Sequence, residues 1–330
     1  MRRLMTSAAV CCLLSACGGG DGSNGAGNGA PIISGPGGPT ATPTPTPSPS
    51  PVATPTPSPT AAVSLVLPAT DAVIGSATLD FVLTGNDVAN KTSDWVTTQP
   101  APAFALNYNA STSTFLLADD QRSRSFDPSQ IFSDSSYRDG LPSRQYGQNT
   151  LSNKDFLVVF KGPLANVTQA FPKYGAYGAW QHNEGTSPVR IRLDYFTYGS
   201  PTPIAAMPRS GRTTFRVIGS GNHADAGGLF FTQTNNLFTV DWATGKISAN
   251  VLVTGSDFLR DSTGGVNTFS IDGTISGNGA QGSLYYGSAV DRPGQYMIQF
   301  YGPNADEIAI VYTTTNQYGG EIGVAIGTRQ

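Results

Sequence analysis

The sequence predicts an all-β protein in which a β-rich domain is followed by an eight-stranded antiparallel soluble β-barrel, both after a disordered Pro/Thr-rich stalk. Three observations carry this. Glycines recur at short intervals, 39 in 330 residues. Threonine and aromatic residues are plentiful, and no long segment shows a clean 3.6-residue apolar period. The C-terminal third alternates apolar and polar residues in short runs separated by turn signals.

Residues 1–16 read as a secretory signal. Arg2 and Arg3 precede an apolar stretch too short to span a bilayer, and small residues follow. Leu14-Ser15-Ala16-Cys17 looks like the lipobox of bacterial lipoproteins, in which the cysteine after the cut is acylated. Buried acyl chains, at roughly 0.8 kcal/mol per methylene, make such anchoring effectively permanent. Of the three cysteines, Cys11 and Cys12 leave with the signal and Cys17 carries lipid. The mature domain therefore has no thiol and no disulfide, which excludes cysteine nucleophiles, thiolate metal sites and redox pairs. Two of the 19 basic residues also leave with the signal, so 17 basic face 22 acidic residues. With no basic block, nucleic acid is not an expected partner.

Residues 17–62 have linker composition. Gly18 to Gly38 is rich in Gly, Asn and Ser, and Pro39 to Thr60 alternates proline with threonine or serine. The latter run favours extended polyproline II and could span roughly 70 Å, the reading of a stalk or a passive spacer.

Residues 63–200 are β-rich but less regular. Leu106–Asn109 and Thr114–Leu117 read as a hairpin, Phe156–Phe160 as a buried strand, and Tyr174–Trp180 with Val189–Phe196 as a further pair. The polar stretch between Asp119 and Ser152 reads as a long loop.

Residues 201–330 supply the barrel. Its expected strands are Thr213–Ile218, Leu237–Trp242, Lys246–Val253, Thr268–Ile275, Ala280–Tyr286, Tyr296–Phe300, Ile308–Tyr312 and Ile322–Ile326. Eight strands in up-and-down order can close without exposed edges, and so small an interior is filled by side chains. The apolar members of each run, Ile322, Val324 and Ile326 among them, are expected to point inward. Polar outward positions such as Lys246, Asn250, Asp272 and Gln299 argue against a lipid-facing wall.

Candidate sites are few. The two histidines, His182 and His223, lack a Gly-x-Ser-x-Gly elbow, and His223 beside Asp225 makes a poor metal site. Adjacent carboxylates at Asp119-Asp120 and Asp306-Glu307 point apart in a strand and do not cooperate as acid and base. Asn235-Asn236 reads as a turn, and Asn166-Val167-Thr168 as a chance glycosylation-like match. The aromatic group Tyr174, Tyr177, Trp180, Tyr195 and Tyr198 is the candidate ligand-binding set, since tyrosine and tryptophan combine large area with a polar tip. Period-two spacing assigns half of such a group to the core.

Phe300-Tyr301-Gly302-Pro303-Asn304-Ala305-Asp306-Glu307-Ile308 resembles a strand–turn–strand signature of the transferrin-binding protein B β-barrel family. Tyr198–Pro203 with Met207–Gly211 resembles the entry into such barrels, and Gly245–Ser248 is similar to a hairpin they repeat. In the signature, Gly302 and Pro303 make the turn and the acids are expected at a wet strand start. The resemblance implies a handle domain over 63–200, a barrel over 201–330, a lipid anchor in the outer membrane, and binding of a protein, haem or another iron source or solute, with an outer-membrane transporter as a further partner. It implies no cofactor, no metal and no catalysis. A single-lobed chain makes transferrin itself doubtful as the ligand. The alternatives are a structural or adhesive surface lipoprotein, and an exported hydrolase, for which a nucleophile–base constellation is missing.

Overall fold

The computed structural model describes residues 73–84, 91–99, 104–134, 143–147, 155–160, 172–185, 188–226, 228–257, 263–286, 289–316 and 319–330. The signal, Cys17, the stalk and Asn166–Thr168 lie outside the described residues. Eighteen strands follow in chain order. The first ten are β1 (Val73–Thr84), β2 (Lys91–Thr98), β3 (Ala105–Asn109), β4 (Thr114–Ala118), β5 (Ser123–Phe126), β6 (Ile131–Ser133), β7 (Ser143–Tyr146), β8 (Asp155–Phe160), β9 (Gly175–Glu184) and β10 (Val189–Gly199). The last eight are β11 (Arg212–Asp225), β12 (Gly228–Asp241), β13 (Lys246–Asp257), β14 (Thr263–Thr274), β15 (Gly279–Tyr286), β16 (Ala289–Tyr301), β17 (Glu307–Asn316) and β18 (Gly319–Arg329).

Strands β11 to β18 close a barrel in sequence order, with β18 pairing back onto β11. All eight expected strands are present, longer than the apolar runs that announced them. The interior holds Phe215, Phe238, Val240, Ile247, Val251, Phe269, Ile271, Tyr296, Ile298, Phe300, Ile308 and Ile310, all buried. Uncovered parts of the wall expose Arg216, Gln233, Asn250 and Asp272, where lipid would require an apolar belt.

One expectation fails. Ile322, Val324 and Ile326 are buried but face outward, in the core shared with the handle. Their ladder partners share that face: Val324 stands opposite Val311 on β17, and Ile326 opposite Ala309. The inner face of β18 is Gly323, Ala325 and Gly327 instead. Rings from other strands need that space; a Cβ added at Gly323 would sit 2.3 Å from the Tyr312 ring. Small and large residues alternate around a narrow barrel, so here the glycine face is the inner one.

The handle is a seven-stranded sheet in the order β2-β1-β10-β9-β8-β7-β6, with β3-β4-β5 as a separate three-stranded sheet. The central strands are buried on both faces, which is why Phe156–Phe160 is an unbroken apolar run. One face meets the barrel wall: Tyr195 Oη donates to Asn222 Oδ1 at 2.7 Å, and Leu79 reaches the backbone at Gly320. The other face is covered by the small sheet and the segment leading into it, with Phe104 against Phe196 at 4.8 Å between ring centroids. The polar stretch after Asp119 is therefore not a single loop. It contains the short strands β5, β6 and β7; β5 exposes Ser123, Arg124 and Ser125, and Arg144 and Gln145 of β7 are half-buried. From Ser58 to Gln330 the chain forms one compact unit.

Candidate functional site

The aromatic group is largely structural in its placement. Tyr177, Trp180, Tyr195 and Tyr198 are buried, and burial pushes the Tyr198 hydroxyl well above the ordinary tyrosine range. Tyr174, 37 % exposed, is the member that reaches solvent. It lies over the Gly-Pro turn, where a Cβ on Gly302 (φ +85°) would come within 2.6 Å of its ring. Both the left-handed backbone and this close approach require glycine there.

That turn is where barrel and handle are tied. Glu307 is 3 % exposed, not at a wet strand start as expected. Its carboxylate accepts the backbone N–H groups of Lys173, Tyr174 (2.9 Å) and Gly175 (2.8 Å) at the entry to β9. Burial pushes this carboxyl above its usual range, against the three N–H groups that pull it down. Asp306 turns the other way and accepts from the Asn304 N–H at 3.2 Å. The two acids thus diverge as adjacent strand residues must. Arg329 closes the turn from the C-terminus by donating to the carbonyls of Asn304 (2.6 Å) and Ala305 (3.0 Å).

A second junction, unmarked in the sequence, holds the small sheet on the handle. Arg122 lies 4.7 Å over the Trp180 ring and pairs with Asp119 and with Asp194 (3.2 Å). Asp194 also accepts from Thr78 at 2.6 Å and faces Arg192 at 3.3 Å. Burial raises the Asp194 carboxyl, with Arg192 and Thr78 opposing it. Asp119 and Asp120 do not converge on a cation: Asp119 caps the turn at Gln121 and Arg122, and Asp120 pairs with Arg192 at 3.1 Å. Among the described residues no group of three or more His, Cys, Asp or Glu side chains is placed to hold a metal ion.

Neither histidine is brought to a nucleophile by the contacts it makes. His182 Nδ1 lies 3.0 Å from Asp155, which also accepts from Trp180 Nε1 at 3.1 Å, and its Nε2 faces Glu184 at 3.4 Å. His223 lies inside the barrel, between Asp225 and Glu321.

An open concave surface lies on the outer wall of β11 to β14. A groove of about 840 Å³ is lined by Arg216, Asn235, Asn236, Leu237, Asn250 and Asp272, with hydroxyls from Thr239, Ser248 and Ser270. Its origin is local. Asn235-Asn236 is not a turn; it lies within β12, where the ladder to β13 skips from Thr234–Val253 to Phe238–Ala249. The Asn236 amide fills the gap, accepting from the Leu252 N–H and donating to the Leu252 carbonyl, both at 3.0 Å. Leu237 and Leu252 stand about half exposed beside it. An amide- and hydroxyl-lined surface with one cation and one anion suits a polar ligand.

Residues 207–330 match the family model for the C-lobe and N-lobe beta barrels of Tf-binding protein B. The barrel is similar to the transferrin-binding protein B family of β-barrels. Solved structures similar to this chain include a transferrin-binding protein B double mutant from Haemophilus parasuis, 11 % identical, covering 82 % of this chain and 78 % of that one, with a TM-score of 0.40. The isotype 1 transferrin-binding protein B of serogroup B Neisseria meningitidis is 18 % identical over 77 % of this chain and 43 % of its own, with a TM-score of 0.43. The N-lobe of lactoferrin-binding protein B from Moraxella bovis is 11 % identical over 78 % of this chain and all of its own, with a TM-score of 0.34. No curated protein matches the chain. In this transferrin-binding protein B-type barrel, the signature that suggested the family is the turn that Glu307 ties to the handle.

Proposed function

We propose that the chain is an outer-membrane lipoprotein, anchored through Cys17, that binds a protein, haem or another iron source or solute on its outer surface without catalysing a reaction. The family of the barrel supports binding as the activity. The observation that carries the surface location is the interior itself, packed with large side chains. What remains is the outer wall, with its polar groove, and the strand-joining loops. Lipidation supports presentation at the membrane, where an outer-membrane transporter is a fitting partner.

The test uses the mature chain carrying Cys17→Ser, titrated by calorimetry with haemin, haemoglobin, transferrin and lactoferrin. Saturable binding to one of these, weakened at least tenfold by Arg216→Ala with Asp272→Ala, is the expected result. Absence of binding to all four would remove the iron-source reading and leave the adhesive alternative. Binding that the groove substitutions do not change would move the site to the loops.

A further inference from the structure

The barrel closes where its first strand meets its last, and that seam is thin in side chains. On the inner face, β11 and β18 pair Gly219 with Ala325 and Gly221 with Gly323. The next inner pair is His223 with Glu321, beyond which Asp225 meets Gly319. From Gly219 to the end of the seam, His223–Glu321 is thus the inner-face pair in which both partners carry a side chain longer than a methyl. Both are buried, Glu321 completely and His223 to 6 % exposure.

The imidazole stands between two carboxylates. Its Nε2 is 3.4 Å from Asp225 Oδ2 and its Nδ1 is 3.8 Å from Glu321 Oε2. Nδ1 is buried without a hydrogen-bond partner. The other groups around it are the Tyr312 hydroxyl on β17, which donates to Glu321 at 3.3 Å, and the Phe230 ring on β12, 5.9 Å away. Thr232 lies further along β12, and Asp257 on β13 stands opposite Phe230 in the ladder. From the handle, Thr92 on β2 donates to the Asp225 carbonyl, so this end of the seam is also held from outside.

We propose that His223 is a proton-operated latch across the closing seam of the barrel. A neutral imidazole has one N–H, so it can serve one carboxylate while turning a lone pair toward the other. The imidazolium has two N–H donors and finds a carboxylate on each side: Asp225 on its own strand and Glu321 on the strand that closes the barrel. An imidazole gains its second N–H on acidification. Acidification therefore tightens the seam at its Asp225–Gly319 end. Raising the pH removes one of the two side-chain bonds and leaves that end with backbone pairing, the remaining imidazole contact and the Thr92 bond.

Amide hydrogen exchange tests this on the mature chain carrying Cys17→Ser, at pH 5.5 and 7.5 after correction for intrinsic rates. Amides of 219–225 and 320–325 should be at least fivefold better protected at the lower pH, while 213–217 on the same strand stays level. His223→Gln and Glu321→Gln should each abolish the difference. Equal protection at the two pH values in the parent protein, or a difference that survives His223→Gln, overturns the latch. Should either variant fail to fold, the parent protein still decides. It holds two histidines, so the His223 ring resonance can be assigned against a His182→Gln sample. A ring that does not titrate between pH 5 and 8.5, or titrates apart from the change in protection, overturns the proposal as well.

Discussion

Replacing Glu307 by alanine isolates the tie between the signature turn and the handle. Three backbone donors lose their acceptor. Lys173 and Tyr174 lie at an exposed bend where water can replace the carboxylate, at a cost of about 0.5 kcal/mol each. The Gly175 N–H is buried in β9 and is stranded, at about 2 kcal/mol. The expected loss is about 3 kcal/mol, or a fall in Tm of about 6–12 °C for a domain of this size. The pH dependence has a definite sign. Burial raises the folded-state carboxyl above its unfolded value, so the folded protein holds this proton where the unfolded chain has released it. That contribution is complete below the unfolded carboxyl range and is lost as pH rises through the folded value. The gap between parent and Glu307→Ala should accordingly widen on acidification from pH 7 to pH 4. Urea denaturation across that range, with hydrogen exchange at 173–175, measures both effects. A change within about 0.5 kcal/mol at every pH, the size expected of an ordinary surface site, would refute the reasoning.

Three further outcomes are expected. Arg122→Ala removes one of two countercharges from buried Asp194, which keeps Arg192 and Thr78, and should cost about 1–3 kcal/mol, with protease cleavage appearing first within 105–126. Gly323→Ala forces a Cβ into the Tyr312 ring and should cost about 3 kcal/mol, whereas Gly245→Ala, with open space around it but φ of +63°, should cost about 1 kcal/mol; equal melting curves for the two would contradict the assigned inner face. Cys17→Ala should abolish labelling by radioactive palmitate and release the chain from the membrane fraction.

Most of the barrel was legible because alternation in an antiparallel sheet reports burial directly; turn residues marked some strand ends, as at Gly302-Pro303, but Asp291–Gly294 lies within β16. Lys246 to Val253 shows this best, with Ile247, Ala249, Val251 and Val253 all buried. The rule failed at β18, where both faces are covered. With Ile, Val and Ile on one side and Gly, Ala and Gly on the other, hydrophobicity chose the wrong side. The space-filling partner, Tyr312, is a cross-strand neighbour that a local pattern cannot reveal. The handle hairpins were legible, whereas β5 to β7 were not, since strands of three or four residues rich in Ser, Arg and Gln are too short to show an alternation. Among site residues, the Gly-Pro turn was visible but the burial of Glu307 was not, because the backbone it serves is more than 130 positions away. Asn236 was misread for a related reason: asparagine favours turns because its amide mimics a peptide group, and here that same mimicry fills a gap inside a strand.

The entry of the chain into β1 has a mechanical consequence. A pull on the N-terminal end of β1, such as the proposed lipid anchor would exert, acts along a strand paired on one side with β10 and on the other with β2. Such a load runs parallel to the strand and strains many hydrogen bonds together, where a hairpin at a sheet edge would unzip one bond at a time.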